Sequence, residues 1–375
     1  MNKTADRYAP GRVRDAIMKV LSVSIKPLSV KDIENRVCTE IGPTPTSSIR
    51  SYLLLNTPTL FIREKRGLYH VKKNKSFFFQ KNLSSQKWQN PIKIGKATIH
   101  HADCFEWIEN QNDNSFQAVV TDPPYGLHEY TPKQQEKLRN GKGGVWRIPP
   151  SFDGHIRSPL PRFTILTDEQ LDELRSFFLM WAKILLPKLV PGAHVVMASN
   201  PLLSYIVSWA LAEAGLERRG ELIRLTMTMR GGDRPKAAHE EFREISVMPR
   251  SMWEPWIVYR KPLEGRVQDN LRKWKTGGFR RPSFEKPFGD VIISSPTRQN
   301  ERAIAPHPSL KPQAFLRQIV RAVLPLGEGT ILDPFAGAGS TLAAAEYCGY
   351  SSIGIEQDEV YFNMACKSFP KLANL

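Results

Sequence analysis

The 375-residue chain is poor in cysteine, and the four it has, Cys38, Cys104, Cys348 and Cys366, are scattered and never form C-x-x-C. That spacing excludes a disulfide framework and a cysteine-built zinc site, and it fits free thiols in a reducing cytoplasm. His100, His101 and Cys104 lie close together, but no second ligand cluster accompanies them, so strand-end packing is preferred to metal ligation. No run of about 18 apolar residues occurs, so no membrane-spanning helix is expected. The first twenty residues lack an apolar signal-peptide core. The phosphate-cradling G-x-x-x-x-G-K-[ST] is missing. The dinucleotide fingerprint G-x-G-x-x-G is incomplete, because its third glycine position is Leu342. Acidic residues are in deficit: 37 Asp and Glu stand against 53 Lys and Arg, a net charge of +16. Such a balance favours a polyanionic partner, nucleic acid above all, or an anionic membrane surface.

The excess is uneven. Residues 1–96 hold 19 Lys and Arg against 6 Asp and Glu, and residues 260–286 hold 9 against 3. Val13, Ile17, Val20 and Leu21 recur at helical spacing. Ser29, with Asp32 three residues on, reads as the cap of a second helix. "PTSSIRSYLLLN" offers a third, capped by Thr46 or Ser47. "LFIREKRGLYHVKK" alternates and turns at Arg66-Gly67, as a β-hairpin does. Three short helices and a basic hairpin resemble the winged helix-turn-helix modules attached to restriction and chromatin proteins. A generic helical or protein-docking module is the competing reading. The expected organisation is a basic module at 1–75, a linker at 76–96 and a main domain at 97–375.

From residue 97 short apolar runs alternate with amphipathic helices, the texture of a mostly parallel α/β sheet. Strands are expected at 97–101, 117–121, 193–199, 220–229, 255–260, 330–333 and 351–356. Thr167 and Gln170 form a capping box ahead of a helix over about 168–186, with Leu171, Leu174, Phe178, Trp181 and Leu185 as its buried stripe. Further helices are expected at 201–214, 312–324, 340–348 and 358–368.

Two stretches carry chemistry. "TILDPFAGAGST" is a strand, a Gly-rich turn and a helix start, in which Gly337 and Gly339 let the backbone approach a ligand. The apolar strand that follows ends in Glu356, placed to hold ribose hydroxyls as acids do after dinucleotide-binding turns. A nucleoside without a pyrophosphate is therefore the expected ligand, and S-adenosylmethionine fits. The second stretch is "TDPPYG", at a strand's carboxyl end, where open α/β sheets bind ligands. Pro123 and Pro124 hold the loop stiff and free the Pro123 carbonyl to face a pocket. Asp122 is a second acceptor and Tyr125 a flat face. A planar amino group has two N–H donors to match the two acceptors, and its ring can stack on the tyrosine.

Together these stretches resemble the β group of amino-methylating DNA methyltransferases, which make N6-methyladenine or N4-methylcytosine. Asp122, Pro123, Pro124 and Tyr125 match its [DNS]-P-P-[YFW] motif. Asp333, Pro334, Phe335, Gly337 and Gly339 match D-P-F-x-G-x-G. His307 to Pro312, "HPSLKP", lies close to H-P-T-x-K-P. "HHADCFEWIENQ" is similar to the G-D-C-x-x-x-L lead-in, with Ala102 in place of glycine. The resemblance spans roughly 97–370. It implies a Rossmann-like methyltransferase fold with a seven-stranded sheet in circularly permuted motif order, and S-adenosylmethionine as cofactor. It gives Asp103 the cofactor's adenine edge and Glu356 its ribose. Asp333, Phe335, Gly337 and Gly339 surround the cofactor, and Lys311, with Ser309 near it, holds the methionine carboxylate. Asp122, the Pro123 carbonyl and Tyr125 hold the target base, and no metal is implied.

The implied partner is double-stranded DNA, with the target base flipped from the stack. Target-recognition insertions are expected at about 127–165 and 228–300, the second for its Arg and Lys mixed with Trp274, Phe279 and Phe284. Asp122 stands where many cytosine-N4 enzymes carry Ser, which favours adenine. A cytosine-N4 enzyme remains the alternative, followed by an inert DNA-binding regulator. A restriction endonuclease, if one accompanies the chain, is a separate protein. The setting is the prokaryotic or phage cytoplasm, at the nucleoid, as monomer or homodimer.

Overall fold

Among the described residues, three helices and three short strands make up the first of two compact units, Met1–Leu83; the second is Ser84–Leu375. The computed structural model describes residues 12–22, 24, 27–57, 61–71, 88–127, 151–152, 155–156, 166–226, 235, 238, 240–247, 249, 252–307 and 309–375.

In the first unit, α1 (Arg12–Ser22) turns Ala16, Ile17, Val20 and Leu21 inward. Ser29 ends β1 (Leu28–Ser29) and caps α2 (Val30–Ile41), its Oγ accepting from the Asp32 N–H at 3.1 Å. The next helix, α3 (Thr46–Leu55), corrects an expectation: Thr46 is its first residue, and Pro45 holds the cap position without a side-chain hydrogen bond. Proline's fixed φ presets the entry to the first turn in place of a hydroxyl cap. β2 (Phe61–Lys65) and β3 (Leu68–Val71) make the expected hairpin, turning at Gly67 with φ +82°. β1 joins β3 from the other side, giving a three-stranded antiparallel sheet. Ile17, Ile33, Ile49, Leu53 and Phe61 are fully buried between the sheet and the helices.

The second unit is built on a nine-stranded sheet. Its strands are β4 (Ile92–Ile94), β5 (Ala97–His101), β6 (Phe116–Thr121), β9 (Leu189–Ala198), β10 (Glu217–Thr226), β11 (Trp253–Arg260), β12 (Val291–Ser294), β13 (Thr330–Asp333) and β14 (Ser351–Glu356). Between β6 and β9 a two-residue ladder pairs β7 (Ser151–Phe152) with β8 (His155–Ile156). The sheet order is β12-β10-β11-β9-β6-β13-β14-β5-β4. β5, β14, β13, β6 and β9 run parallel, and β11 runs against them.

All seven expected strands are present. Two short edge strands extend these seven to a nine-stranded sheet. β4 falls inside the stretch expected as linker, where Ile92 and Ile94 pair with β5. β12 pairs with β10.

Alternation along the strands builds three layers. Val119, Val195, Met197, Ile257 and Leu332 face α4 (Cys104–Glu109), α5 (Asp168–Lys188) and α6 (Ser204–Glu213). Ala118, Val120, Val196, Trp256 and Ile331 face α9 (Gln313–Val323) and α10 (Ser340–Tyr347). α11 (Glu359–Ala373) covers β5 through Phe362 and Phe369. α5 starts on the expected Thr167–Gln170 capping box and buries Leu174, Phe178, Trp181 and Leu185. Two short helices, α7 (Val267–Trp274) and α8 (Gln299–Ile304), flank β12 in sequence. No helix among the described residues is long and apolar enough to cross a membrane.

The topology relocates part of the expected target-recognition region. β11 brings Glu254 to the carboxyl ends of the parallel strands and ends at Arg260, paired with His194 in the middle of β9. The chain then packs there: Thr276 donates to the Pro191 carbonyl at 2.6 Å, and the Phe279 ring lies 4.2 Å from His194. Six residues of strand span about 20 Å. Trp274 and Phe279 therefore sit at the opposite end of the sheet from "TDPPYG", and this part of the expectation is corrected. The expected insertion at 127–165 lies almost wholly outside the described residues, as do residues 227–234.

Candidate active site

The carboxyl ends of β6, β13, β14 and β5 lie side by side, and each is followed by predicted site residues. β13 ends in Asp333, buried and fixed by three donors: the Thr121 hydroxyl at 2.6 Å, the Phe335 N–H at 3.2 Å and the Thr341 hydroxyl. Burial nevertheless pushes its pKa up to about 6. The turn beyond needs its glycines. Gly337 and Gly339 have φ +50° and +79°, and a Cβ on Gly337 comes within 3.1 Å of the His307 ring. Phe335 packs on the α5 aromatics Phe177 and Trp181, with centroids 6.3 and 6.1 Å away.

β14 ends in Glu356. Its Oε2 accepts from the Gly337 N–H and its Oε1 from the Asp358 N–H, both at 2.8 Å. The carboxylate is thereby tied to the Gly-rich turn, while burial raises its pKa. Asp103, just past β5, caps α4 by accepting from the Phe105 and Glu106 N–H groups at 2.9 and 3.0 Å. Burial raises the Asp103 pKa as well.

Beyond β6 come Asp122, buried Pro123, exposed Pro124 and half-buried Tyr125. The Asp122 side chain keeps 17% of its surface exposed, enough to be reached from outside. Its Oδ1 is 2.9 Å from the Tyr125 hydroxyl and its Oδ2 is 2.8 Å from Lys311 Nζ. Burial pushes the carboxyl pKa up, Lys311 opposes this, and a neighbouring acid, Glu254, adds to it. Burial and the two carboxylates push the Tyr125 phenol well above its ordinary range, so it stays neutral.

Lys311 is the residue whose place differs most from expectation. Its ammonium meets Asp122, Glu254 at 2.9 Å and the Tyr125 hydroxyl at 3.1 Å, so it belongs to the side-chain cluster beyond β6. Burial lowers its pKa, but the two carboxylates outweigh that and raise it overall. Ser309 is exposed on the turn before it, donating its N–H to His307 Nδ1 at 3.2 Å. His307 lies over Gly337 and 4.4 Å from the Tyr361 ring; burial first, then Lys311, lower its pKa to about 4, so it is neutral.

Four residues in this arrangement were given no role of their own by the sequence reading: Thr121 and His307, which lie within its motifs, and Arg224 and Glu254, which lie outside them. The one signal available for Arg224 was a basic residue among apolar ones in "LIRLT". Glu254 is the second residue of β11, and the antiparallel course of that strand brings it to Asp122.

Seven adjacent strands in the order β10-β11-β9-β6-β13-β14-β5, with β11 reversed, define a Rossmann-like methyltransferase sheet. Residues 116–367 match the N6_N4_Mtase family, described as DNA methylase, and the chain belongs to that family. It is an S-adenosylmethionine-dependent DNA methyltransferase. Among relatives it is similar to the Type II methyltransferase M2.DpnII of Streptococcus pneumoniae, 22% identical over 300 residues, covering 79% of this chain and 96% of that one. It is similar also to the Type II methyltransferase M.HindIII of Haemophilus influenzae, 21% identical over 293 residues, covering 71% and 93%. Among solved structures, the cytosine-N4-specific PvuII DNA methyltransferase aligns with a TM-score of 0.49 at 14% identity, covering 75% of this chain and 92% of that one. The M1.HpyAVI–SAM complex aligns with a TM-score of 0.44 at 18% identity, covering 72% of this chain and 98% of that one.

The residues present fit the cofactor. Glu356 is an oriented acceptor for a diol, Asp333 and Asp103 are acids on the two flanking strand ends, and the bare Gly337 keeps the turn open beside them.

Proposed function

We propose that the chain methylates the exocyclic N6 amino group of an adenine flipped out of double-stranded DNA. The observation that carries this reading is the pairing of Asp122, at the carboxyl end of β6, with the Gly-rich turn on β13 through the Thr121–Asp333 bond. An amino-group site and a nucleoside site are thereby held on adjacent strands. Glu356 holds the ribose hydroxyls, and Asp103 the adenine edge. Asp333, Phe335, Gly337 and Gly339 line the rest of the cofactor site, with Ser309 at its rim. Bound there, S-adenosylmethionine supplies an electrophilic methyl group.

The target's amino lone pair is delocalised into the ring and is a poor nucleophile. Donation of its two N–H groups to the Asp122 carboxylate and the Pro123 carbonyl favours a pyramidal nitrogen with a directed lone pair. Pro124 keeps the loop rigid, and Tyr125 offers a face to the base. Positioning and fixed dipoles supply the catalysis. Asp122, where many cytosine-N4 enzymes carry Ser, favours adenine.

The first unit supports a winged-helix DNA-binding reading: the order α1-β1-α2-α3-β2-β3 ends in a hairpin carrying exposed Arg63, Lys65 and Arg66. Relatives named Type II methyltransferases support a separate restriction endonuclease as companion, with the chain acting in the cytoplasm at the nucleoid as a monomer or homodimer. The test is to incubate the protein with labelled cofactor and duplex DNA, digest, and identify the labelled nucleoside, then map its sequence context. N6-methyladenine is expected. N4-methylcytosine overturns the choice of base, and an unlabelled duplex overturns the activity.

A further inference from the structure

Each oxygen of Asp122 already has a donor in this structure. Oδ1 receives the Tyr125 hydroxyl and Oδ2 receives Lys311. A target amino group donating to Asp122 competes with these two donors for the carboxylate. Glu254 resolves the conflict. Its Oε1 is 2.5 Å from the same Tyr125 hydroxyl and 2.9 Å from the same Lys311 ammonium. A phenol has one proton, so Tyr125 donates to one carboxylate at a time, and both are within reach. Lys311 has three N–H donors and already spans both acids.

Glu254 is itself held by a further layer of contacts. Its Oε2 takes Arg224 Nη1 at 2.7 Å, and Arg224 is fixed by the Ser294 hydroxyl at 3.1 Å, the Ser295 carbonyl at 3.3 Å and the Phe315 ring at 5.3 Å. Burial alone would raise the Glu254 pKa, but Lys311 and Arg224 outweigh it and hold the carboxyl at about 2, firmly ionised. Two carboxylates and two cations make the cluster neutral.

We propose that Glu254 is a positioning residue that keeps Lys311 and the Tyr125 hydroxyl when the arriving amino group displaces them from Asp122. The inference rests on Asp122 being the acceptor for the target. Because the Lys311–Glu254 contact already exists, the exchange strands no buried charge, which would otherwise be strongly unfavourable. Without Glu254, Asp122 is the one anion left for Lys311 among the described residues, and the amino group has to compete with an ammonium.

The test uses full-length Glu254→Gln with S-adenosylhomocysteine bound, and two duplexes carrying the mapped site. One has adenine at the target; the other has purine, which lacks the amino group. The variant should bind the adenine duplex about tenfold more weakly than wild type and the purine duplex equally well. An equal loss on both duplexes means a merely structural role and overturns the proposal, as does undiminished binding of adenine. Should Glu254→Gln fail to bind S-adenosylhomocysteine, Glu254→Asp keeps the anion but withdraws it, and a smaller loss confined to the adenine duplex is expected; an equal loss on both duplexes again overturns the proposal. A wild-type protein indifferent to the amino group refutes the Asp122 reading itself, a separate result from any difference between variant and wild type.

Discussion

Thr121 donates its hydroxyl to Asp333 Oδ1 at 2.6 Å, and both side chains are buried. The bond joins the last residue of β6 to the last residue of β13, so the loop assigned to the target and the turn assigned to the cofactor share one register. Thr121→Val keeps the shape and deletes the donor. A buried acceptor left one donor short costs about 1–3 kcal/mol. The variant should melt lower and bind cofactor more weakly, with DNA affinity in the absence of cofactor unchanged. Wild-type melting together with full cofactor affinity excludes a role for the bond.

Asp333 makes stability depend on pH. Its pKa rises from the ordinary 3.8 to about 6, because burial disfavours the charge. The folded protein therefore holds this proton more tightly than the unfolded chain. The resulting stability is fully present below about 3.8 and is lost as pH rises through about 6. Across the whole window this amounts to about 3 kcal/mol. Asp333→Asn carries no charge, so the wild-type melting temperature should fall relative to the variant between pH 5 and pH 7.5. A difference that stays constant over that range rejects a perturbed carboxyl.

Much of this architecture was legible in the sequence, for physical reasons. The seven central strands were found because parallel strands covered on both faces read as unbroken apolar runs. Ser29 and Thr167 were legible as caps because a side-chain oxygen two or three residues ahead of free N–H groups is a local signal. β4 and β12 were missed because three- and four-residue edge strands leave too little alternation to read. Glu254 and Arg224 were missed because the meeting of Glu254 with Asp122's partners, and of Arg224 with Glu254, depends on strand order, which is not local. Trp274 and Phe279 were misplaced for the complementary reason. Their composition suits nucleic acid, but the course of β11 carries them to the far end of the sheet.

Asp122→Ala tests the central assignment. The carboxylate is given to the target's amino group, and Lys311 keeps Glu254 as a partner when Asp122 is lost. Transfer should be abolished while cofactor binding by calorimetry stays near wild type. In the wild-type protein the acid limb of the rate profile should lie above the ordinary carboxylate range, because burial raises the Asp122 pKa and the protonated acid is a poorer acceptor. Near-normal turnover in the variant removes Asp122 from the chemistry.

The first unit should supply affinity and not chemistry. Residues 1–83 hold 16 Lys and Arg against 6 Asp and Glu, and every motif of the site lies beyond residue 97. A cut near residue 90 is unsuitable, because Trp88 packs edge-on against His101 at 5.0 Å and Gln89 bonds His101 Nδ1 at 3.2 Å and Glu359 Oε1 at 2.8 Å. A chain beginning at Ser84 keeps these contacts and should fold, bind cofactor and methylate at low salt. Phosphate contacts by Lys and Arg release counterions, so the logarithm of affinity falls with the logarithm of salt in proportion to their number. The shortened chain makes fewer such contacts and should bind more weakly throughout, with a shallower salt slope, so that its activity fades at lower ionic strength than that of the full chain. A shortened chain with the full-length slope and affinity shows that the first unit does not touch DNA, and makes it a protein-docking module instead.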